Sequence, residues 1–230
     1  MTNIRIADLN ISIDNKYEYL ERQCTDYLFQ GVPDMEISVT EEEMLREGDK
    51  SLGMGYLESL AVYRRIAEGL PFYDAILVHG AVFDVEGCGV MLLARSGVGK
   101  TTHMANWKRL LGDRMTVVNG DKPIIRRMGD TFYAYGTPWA GKEKLQTNTR
   151  TPLKKLCSIQ RADDDRCKRL QGDSFKHVIP HVYRPLDDVD ALFKTIDLAE
   201  ELVKSSEYYL IKCTKEPSSA EAAYSVIMKA

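Results

Sequence analysis

The sequence predicts an α/β protein with a mixed β-sheet and a small α+β region at its N-terminus. Short apolar runs alternate with helical patterns from residue 73 onward, which is typical of an α/β core. An apolar hairpin precedes the glycine-rich segment at residues 94–102, so the sheet is not purely parallel. Short alternating stretches separated by polar segments are replaced after about residue 70 by dense apolar runs. We therefore expect residues 1–72 to form an N-terminal α+β region packed on a core domain of residues 73–230.

The N-terminal region is predicted from two alternating segments and one helical pattern. IRIADLNISI and MEISV predict strands of a small sheet. The charged segment at residues 41–50 predicts a solvated loop. Residues 55–70 carry apolar side chains at helical spacing, and Pro71 is expected to end that helix.

The core begins with AILVHGAVFDV and CGVMLLA, which predict two buried strands joined at Glu86 and Gly87. A helix is expected after the glycine-rich segment, ending at Gly112. Further strands are predicted for MTVV, PIIRR, TFYAYG, LKKLCSIQRA and YYLIKC, and a last helix after Pro217. Residues 187–206 predict a long amphipathic helix, whose expected buried face comprises Val189, Leu192, Phe193, Ile196, Ala199, Leu202 and Val203.

The composition excludes several classes of protein. Hydrophobic residues make up 44% and charged residues 28% of the 230 positions, near the averages for globular proteins. A net charge of -3 gives no electrostatic reason to expect nucleic acid. No apolar run approaches the roughly 20 residues that span a bilayer, and the N-terminus lacks a signal-peptide pattern. We expect a cytoplasmic protein without a membrane partner, and the sequence leaves the oligomeric state open, a homo-oligomer included.

The cysteines are odd in number and widely scattered, and none forms a CxxC pair. We expect reduced thiols, with a catalytic cysteine or a structural metal as the minor alternative. They are Cys24, Cys88, Cys157, Cys167 and Cys213.

The segment LLARSGVGKTTHMANW, residues 92–107, has the strand, glycine-rich loop and helix order of a phosphate-binding loop. Glycines allow the unusual dihedral angles of such a loop, and the helix N-terminus favours an anion. Ala94 stands where the pattern has its first glycine, and alanine fits there if its φ is negative. The expected nucleotide-binding residues are Ser96, Gly97, Val98, Gly99, Lys100, Thr101 and Thr102.

Two of these residues have a specific expected role. Lys100 would reach the β and γ phosphates, and the Thr101 hydroxyl would bind Mg²⁺. Asp121, in the segment NGD after an apolar strand, could share the Mg²⁺ or accept the proton of an attacking hydroxyl. A structural turn is the alternative interpretation of NGD.

The segment ILVHGAVFDVEGCGVMLLARSGVGKTT, residues 76–102, resembles the core signature of the HPr kinase/phosphorylase family. ATP-dependent phosphoenolpyruvate carboxykinases share that core and are more distantly similar. VVNGDKPIIRR, YGTPWAGKE and TPLKKLCSIQRA resemble small HPr kinase-related proteins, so the resemblance covers roughly residues 75–162. It implies a mixed-sheet P-loop fold, like the C-terminal domain of HPr kinases. It also implies ATP, Mg²⁺ and transfer of the γ-phosphoryl group to a serine hydroxyl of a protein, peptide or small molecule.

The resemblance also implies roles for residues outside the loop. His79 would face the γ-phosphate, although a lone histidine in an apolar strand is more often a core residue. Asp121 would be catalytic, and Gly120 stands where the family typically has a second acid. GTPWAGKE at residues 136–143 would form a mobile rim of the site, or a structural turn around a packed indole. The expected substrate contacts near this rim are Lys142, Glu143 and Arg150.

Two functions are compatible with these motifs. The first is an ATP-dependent kinase that uses Lys100, His79 and Asp121 in catalysis. The second is a nucleotide-binding accessory or regulatory protein with little or no phosphoryl transfer, which the missing acid at Gly120 favours. We expect Gly120→Asp to preserve or raise the transfer rate if φ at residue 120 is not positive.

Overall fold

The computed structural model describes residues 1–172 and 174–229. Its first part is a three-stranded sheet in the order β1-β2-β3, in which β1 and β2 are antiparallel and β3 runs parallel to β2. The strands are β1 (Thr2–Ile6), β2 (Leu9–Asp14) and β3 (Met35–Ser38). The helices of this part are α1 (Glu18–Gln23), α2 (Glu41–Arg46) and α3 (Met54–Gly69). The two predicted strand segments and the predicted helix are present.

The prediction of a loop at residues 41–50 is wrong, because Glu41–Arg46 forms helix α2. Thr40 and Glu43 form a capping box: the Glu43 N–H donates to Thr40 Oγ1 at 3.2 Å, and the Thr40 N–H donates to Glu43 Oε2 at 2.7 Å. Acidic residues in the first turn also suit the helix dipole. The charge run therefore starts a helix, although most of its side chains are exposed as expected.

The N-terminal part shares an apolar cluster with the core. Ile4, Leu57 and Ile66 belong to the same buried cluster as Ile124 and Trp139. Burial of such side chains away from water is the main force that holds the two parts together. The division at residue 72 remains a prediction.

In the described residues the second sheet has nine strands. They are β4 (Ala75–Leu77), β5 (Ala81–Val85), β6 (Cys88–Leu93), β7 (Met115–Asn119), β8 (Ile124–Met128), β9 (Thr131–Tyr135), β10 (Arg150–Arg161), β11 (Arg166–Leu170) and β12 (Glu207–Cys213). The helices are α4 (Lys100–Leu111), α5 (Phe175–Val178), α6 (Val189–Lys204) and α7 (Ser218–Ile227). Strand β11 was not predicted, because its sequence RCKRL is mostly charged. Among the strands that the structure describes it pairs only with β12, at an edge, where charged side chains discourage further pairing.

The sheet is mixed, as predicted. Strand β10 pairs in parallel with β6 and β12, and its first residues pair antiparallel with β9. Strand β5 is antiparallel to both β6 and β7. The carboxyl ends of β6, β10 and β12 therefore lie at one edge, which is where α/β sheets bind ligands.

The prediction of one continuous strand for AILVHGAVFDV is wrong. Strand β4 pairs with β8, whereas β5 pairs with β6 and β7, and residues 78–80 pass between them. An added Cβ at Gly80 would lie 3.0 Å from the Leu92 carbonyl oxygen, so a side chain would crowd the backbone there. His79 is consequently outside the strand ladder, and its N–H donates to the His181 carbonyl at 2.8 Å.

The predicted buried face of α6 is wrong at its N-terminal end. Val189 and Phe193 are 64% and 62% exposed, whereas Ala191, Thr195 and Leu198 are buried. Ala199 and Leu202 are buried as expected. The apolar stripe of the sequence is wider than the surface that the core offers, since the first turns of α6 extend beyond it.

Helix α6 gives a test of this assignment. Leu198→Ala is expected to lower the free energy of unfolding by about 2–4 kcal/mol, because it leaves a cavity beneath α6. Phe193→Ala should change the same quantity by less than about 0.5 kcal/mol, because the ring is mostly in water. Urea denaturation of both variants measures the difference. A larger loss for Phe193→Ala than for Leu198→Ala would contradict the observed orientation of the helix.

Candidate active site

The glycine-rich loop connects β6 to α4 in the order that the sequence predicts. Gly97 has φ of 77° and Gly99 has φ of 126°, conformations that favour glycine. Gly99 is the N-cap of α4 and no side chain caps it, and no acid lies in the first turn. The free N–H groups and the helix dipole therefore suit an anion such as a phosphate. Ala94 is buried with a negative φ, so alanine is accommodated there.

Lys100 begins α4 and its side chain turns back under the loop. Its Nζ donates to the Ala94 carbonyl oxygen at 2.8 Å and lies 3.1 Å from His79 Nε2. The residue is 8% exposed. Burial lowers the pKa of Lys100, and the nearby Asp121 carboxylate opposes that change. The ammonium thus lies at the mouth of the loop, where a phosphate chain would need a cation.

His79 connects Lys100 to Asp121. Its Nδ1 lies 3.4 Å from Asp121 Oδ1, while Nε2 faces the Lys100 ammonium. Burial and the Lys100 charge lower the pKa of His79, so the ring is neutral at pH 7. Because Nε2 must accept from an ammonium, the proton of the neutral ring belongs on Nδ1, toward Asp121. The half-exposed His79 is therefore placed between the two predicted catalytic residues rather than in the core.

The segment NGD forms a tight turn that presents the Asp121 carboxylate. Asn119 is fully buried, and its Oδ1 accepts from the N–H groups of Asp121 and Lys122 at 2.9 and 2.8 Å. Its Nδ2 donates to the carbonyl and hydroxyl oxygens of Thr137. The turn interpretation is thus right for the backbone, and that turn fixes a partly exposed carboxylate beside His79.

Position 120 does not offer an easy place for a second acid. Gly120 has no positive φ, but an added Cβ would lie 3.3 Å from both the Cβ and the carbonyl oxygen of Leu145. The Cβ would also lie 3.6 Å from the Ala140 carbonyl oxygen, whose partial negative charge would repel a nearby carboxylate. Gly120→Asp therefore needs Leu145 to shift by a few tenths of an ångström, and the expectation that the variant preserves or raises the transfer rate depends on that shift.

The rim segment at residues 136–143 is mostly a structural turn. Residues 136–140 are buried, and the Trp139 indole stacks on Tyr63 with centroids 4.0 Å apart and planes at 5°. The indole Nε1 donates to the backbone and side-chain oxygens of Ser59. Gly141 packs against the Asp121 side chain, and Lys142 and Glu143 follow it on an exposed tip. Within this segment, the tip is the part that can act as the mobile rim that the sequence suggests.

Arg150 is not brought to the loop. Its Nη1 donates to Asp8 Oδ2 at 2.5 Å and to the Tyr135 hydroxyl at 3.1 Å, and its guanidinium lies over the Tyr133 ring. These contacts tie the start of β10 to the turn between β1 and β2. The expectation of a substrate contact at Arg150 is therefore not supported by its position.

Arg161 and His181 are site residues that no motif in the sequence indicated. Arg161, at the end of β10, donates from Nε to the Val98 carbonyl at 3.0 Å and from its guanidinium to the Gly97 carbonyl. The His181 carbonyl accepts from the His79 N–H. Arg161 could have been found only from the parallel pairing of β10 with β6, which no local pattern reveals.

A third histidine near the loop is a core residue. His103 is 2% exposed, its Nε2 accepts from Trp107 Nε1 at 3.1 Å, and its Nδ1 lies 3.3 Å from the Ser219 hydroxyl. Burial lowers the pKa of His103 to about 4. The ring is neutral at pH 7 and joins α4 to α7.

This pKa gives a prediction for acid stability. The unfolded chain binds a proton at His103 near its ordinary pKa of 6.5, whereas the folded chain does so only near 4. The free energy of unfolding should therefore fall as the pH drops from about 6.5 to 4, by up to about 3 kcal/mol from this group. His103→Gln can still accept from Trp107 and does not titrate, so urea denaturation should show a shallower pH dependence. Equal pH slopes for the two proteins would contradict the assignment.

The site offers oxygen ligands that fit Mg²⁺ together with a nucleotide. Thr101 is exposed in the first turn of α4, and Asp121 presents a carboxylate at the end of β7. Within the described part of the chain, no three His, Cys, Asp or Glu side chains are grouped as metal ligands. Mg²⁺ at nucleotide sites needs only one or two protein oxygens besides phosphate and water. Thr101 and Asp121 are thus compatible with that cation.

No protein-family model matches this chain. The chain is 29% identical over 99 residues to HPr kinase/phosphorylase 1 of Oceanobacillus iheyensis. The aligned region covers 40% of this chain and 31% of that protein. The HPr(Ser) kinase/phosphatase structure from Coxiella burnetii aligns with 55% of this chain and 90% of its own, at 12% identity and a TM-score of 0.31.

The curated match shows that the chain is related to the HPr kinase/phosphorylase family over part of its length. The chain spans about a third of the length of that relative. In residues 1–172 and 174–229, no helix combines the length and apolar character required to cross a membrane.

Proposed function

We propose that the protein is an ATP-dependent kinase that transfers the γ-phosphoryl group to a serine hydroxyl of a protein, peptide or small molecule. The observation that carries this proposal is the line of Lys100, His79 and Asp121 at the mouth of the glycine-rich loop. Lys100 Nζ and Asp121 Oδ1 contact opposite nitrogens of the same imidazole, at 3.1 and 3.4 Å. A cation for phosphate and a base for the hydroxyl are thus held at a fixed separation, as phosphoryl transfer requires.

Each residue has a distinct proposed role. The N–H groups of residues 96–102 and the Lys100 ammonium bind the phosphates and offset their charge. Thr101 and Asp121 would hold Mg²⁺, which when bound would neutralise phosphate charge. Asp121 accepts the proton of the acceptor hydroxyl as that oxygen forms its bond to phosphorus and ADP leaves.

His79 orients the residues on either side of it. Its neutral ring donates from Nδ1 toward Asp121 and accepts at Nε2 from Lys100, so it fixes both without adding charge. Arg161 supports the same geometry from the other side, since its guanidinium binds two carbonyl oxygens of the loop. Loss of either contact would let the loop or the carboxylate move by a distance that matters for transfer.

A nucleotide-binding accessory protein is the second candidate. Gly120 favours it, because only one acid remains where the family typically has two. Incubation of the purified protein with γ-labelled ATP and extract of its own cells distinguishes the two candidates. A kinase labels an acceptor, and Lys100→Ala does not. Nucleotide binding without any labelled acceptor would favour the accessory role.

A further inference from the structure

A cleft continues from His79, the neighbour of Lys100, to the short helix α5. It encloses about 960 Å³, and its lining includes residues 93–98 of β6 and the glycine-rich loop, the end of β10, the first half of β12 and residues of the segment 176–181. This volume is within the range of small-molecule sites. Its floor contains Ser158 and Tyr208, which are hydrogen-bonded to each other, and its apolar lining includes Ile159 and Leu210.

The cleft opens at the end of the loop where the γ-phosphate would lie. The lysine of a phosphate-binding loop reaches the β and γ phosphates, and His79, which contacts Lys100 Nζ, lines the cleft. His181 lies close enough to His79, Lys100 and Arg95 for their charges to help burial lower the pKa of His181 to about 4. A molecule in this cleft would therefore face the terminal phosphate.

The charge of the cleft is one-sided. Among the residues that the structure describes, no Asp or Glu lines it. Its cationic lining residues are Arg95, Arg161 and Lys176, and its other titratable lining residues are His79, His177, His181 and Tyr208. The His177 ring stacks on Tyr208 with centroids 5.5 Å apart and planes at 13°, which fixes this wall of the cleft. A neutral or cationic molecule would leave the positive field of Arg95 and Lys176 uncompensated.

We propose that this cleft binds the phosphoryl acceptor and that the acceptor is a small hydroxyl-bearing anion, with a carboxylate or phosphate group. The anionic group binds near Lys176, His177 and His181, and the hydroxyl points toward His79 and Asp121. This inference rests on the proposed kinase function, since the direction of the hydroxyl matters only if a phosphoryl group is transferred.

The test measures binding of four probes of similar size to the protein saturated with Mg²⁺ and a non-hydrolysable ATP analogue, which occupies the loop. The probes are glycerate, glycerol 1-phosphate, glycerol and ethanolamine. Histidine ring signals in NMR spectra report the site, and the buried His103 is the internal reference. We expect one or both anions to shift the His177 and His181 signals with saturation, and glycerol and ethanolamine to leave them unchanged. The two anions distinguish a carboxylate site from a phosphate site.

Variants separate the cleft from general surface charge. Lys176→Gln should weaken binding of the anion about three- to tenfold, measured from the His181 signal. Lys194→Gln removes an exposed lysine of α6, outside the cleft lining, and should leave that affinity unchanged. Equal binding of glycerol and the anions, no anion binding, or no effect of Lys176→Gln would overturn the inference. Failure of the wild type to bind the ATP analogue at all would instead overturn the proposed function on which it rests.

Discussion

Asp121→Asn is expected to lower the rate of phosphoryl transfer by about 10²-fold or more, the usual contribution of a general base. Asparagine keeps the shape of the side chain and the Asp121 N–H bond to Asn119, but it removes the proton acceptor. Some nucleotide binding should remain, because Lys100 and the loop are unchanged and the variant alters only one of the two proposed Mg²⁺ ligands. Single-turnover transfer and calorimetric affinity, measured on the same preparations, separate the two effects.

Asp130→Asn is a suitable control, since Asp130 is an exposed carboxylate at the turn between β8 and β9. It should leave both transfer and affinity unchanged. Robust transfer that Asp121→Asn does not diminish would remove this residue from the mechanism. His79 and Glu143 would then be the remaining candidates for the general base.

Lys100→Ala is expected to weaken the binding of Mg-ATP by about 10²-fold, the range for loss of hydrogen bonds from a charged group to phosphate. The ammonium is nearly buried between the Ala94 carbonyl oxygen at the start of the loop and His79 Nε2. Isothermal titration calorimetry measures the affinity directly. Arg109→Ala, which removes an exposed cation from the same helix, should bind as the wild type does. Equal affinities of Lys100→Ala and wild type would contradict the assignment of the loop.

The sequence predicted those parts of the fold that depend on local patterns. The hairpin at Glu86 and Gly87 has both residues at positive φ, 53° and 86°, as a tight two-residue turn requires. Glycines with positive φ also form the loop at residues 94–99 and end helix α4 at Gly112, as the sequence predicts. Free thiols at all five cysteines agree with the expected reduced state.

The sequence did not predict features that depend on partners far along the chain. The break of the strand at His79 depends on Asp121 and His181, whose backbone groups bond to residues 79 and 80. Arg150 was expected to contact substrate because of its position near the rim, but Asp8 binds it from the other end of the sequence. Phe193 fits the apolar period of α6 and is nevertheless exposed, because periodicity does not show where the core ends.

In the candidate site, too, local motifs predicted some features, and contacts between distant residues determined the others. Lys100 and Asp121 were identified from motifs, and their relation through His79 required the tertiary structure. For residues 137–141 of the rim segment, the sequence was compatible with either a mobile rim of the site or a structural turn. Its resolution as a turn depends on Tyr63 and Ser59 of α3, which stack on and accept hydrogen bonds from Trp139. The N-terminal part therefore supports the segment that packs against Asp121.

Nucleotide is expected to bind between the loop and the His79–Asp121 pair, and hydrogen exchange with and without a non-hydrolysable Mg-ATP analogue tests this most directly. Protection of amides in residues 95–103, together with smaller protection at residues 79–80 and 119–122, is the predicted result, because ligand phosphates bind the first group and order the second. The amides of β1 and β2, distant in the fold from the loop, should exchange at unchanged rates. Saturating nucleotide that leaves residues 95–103 unprotected, or that protects a different surface instead, would contradict this binding mode.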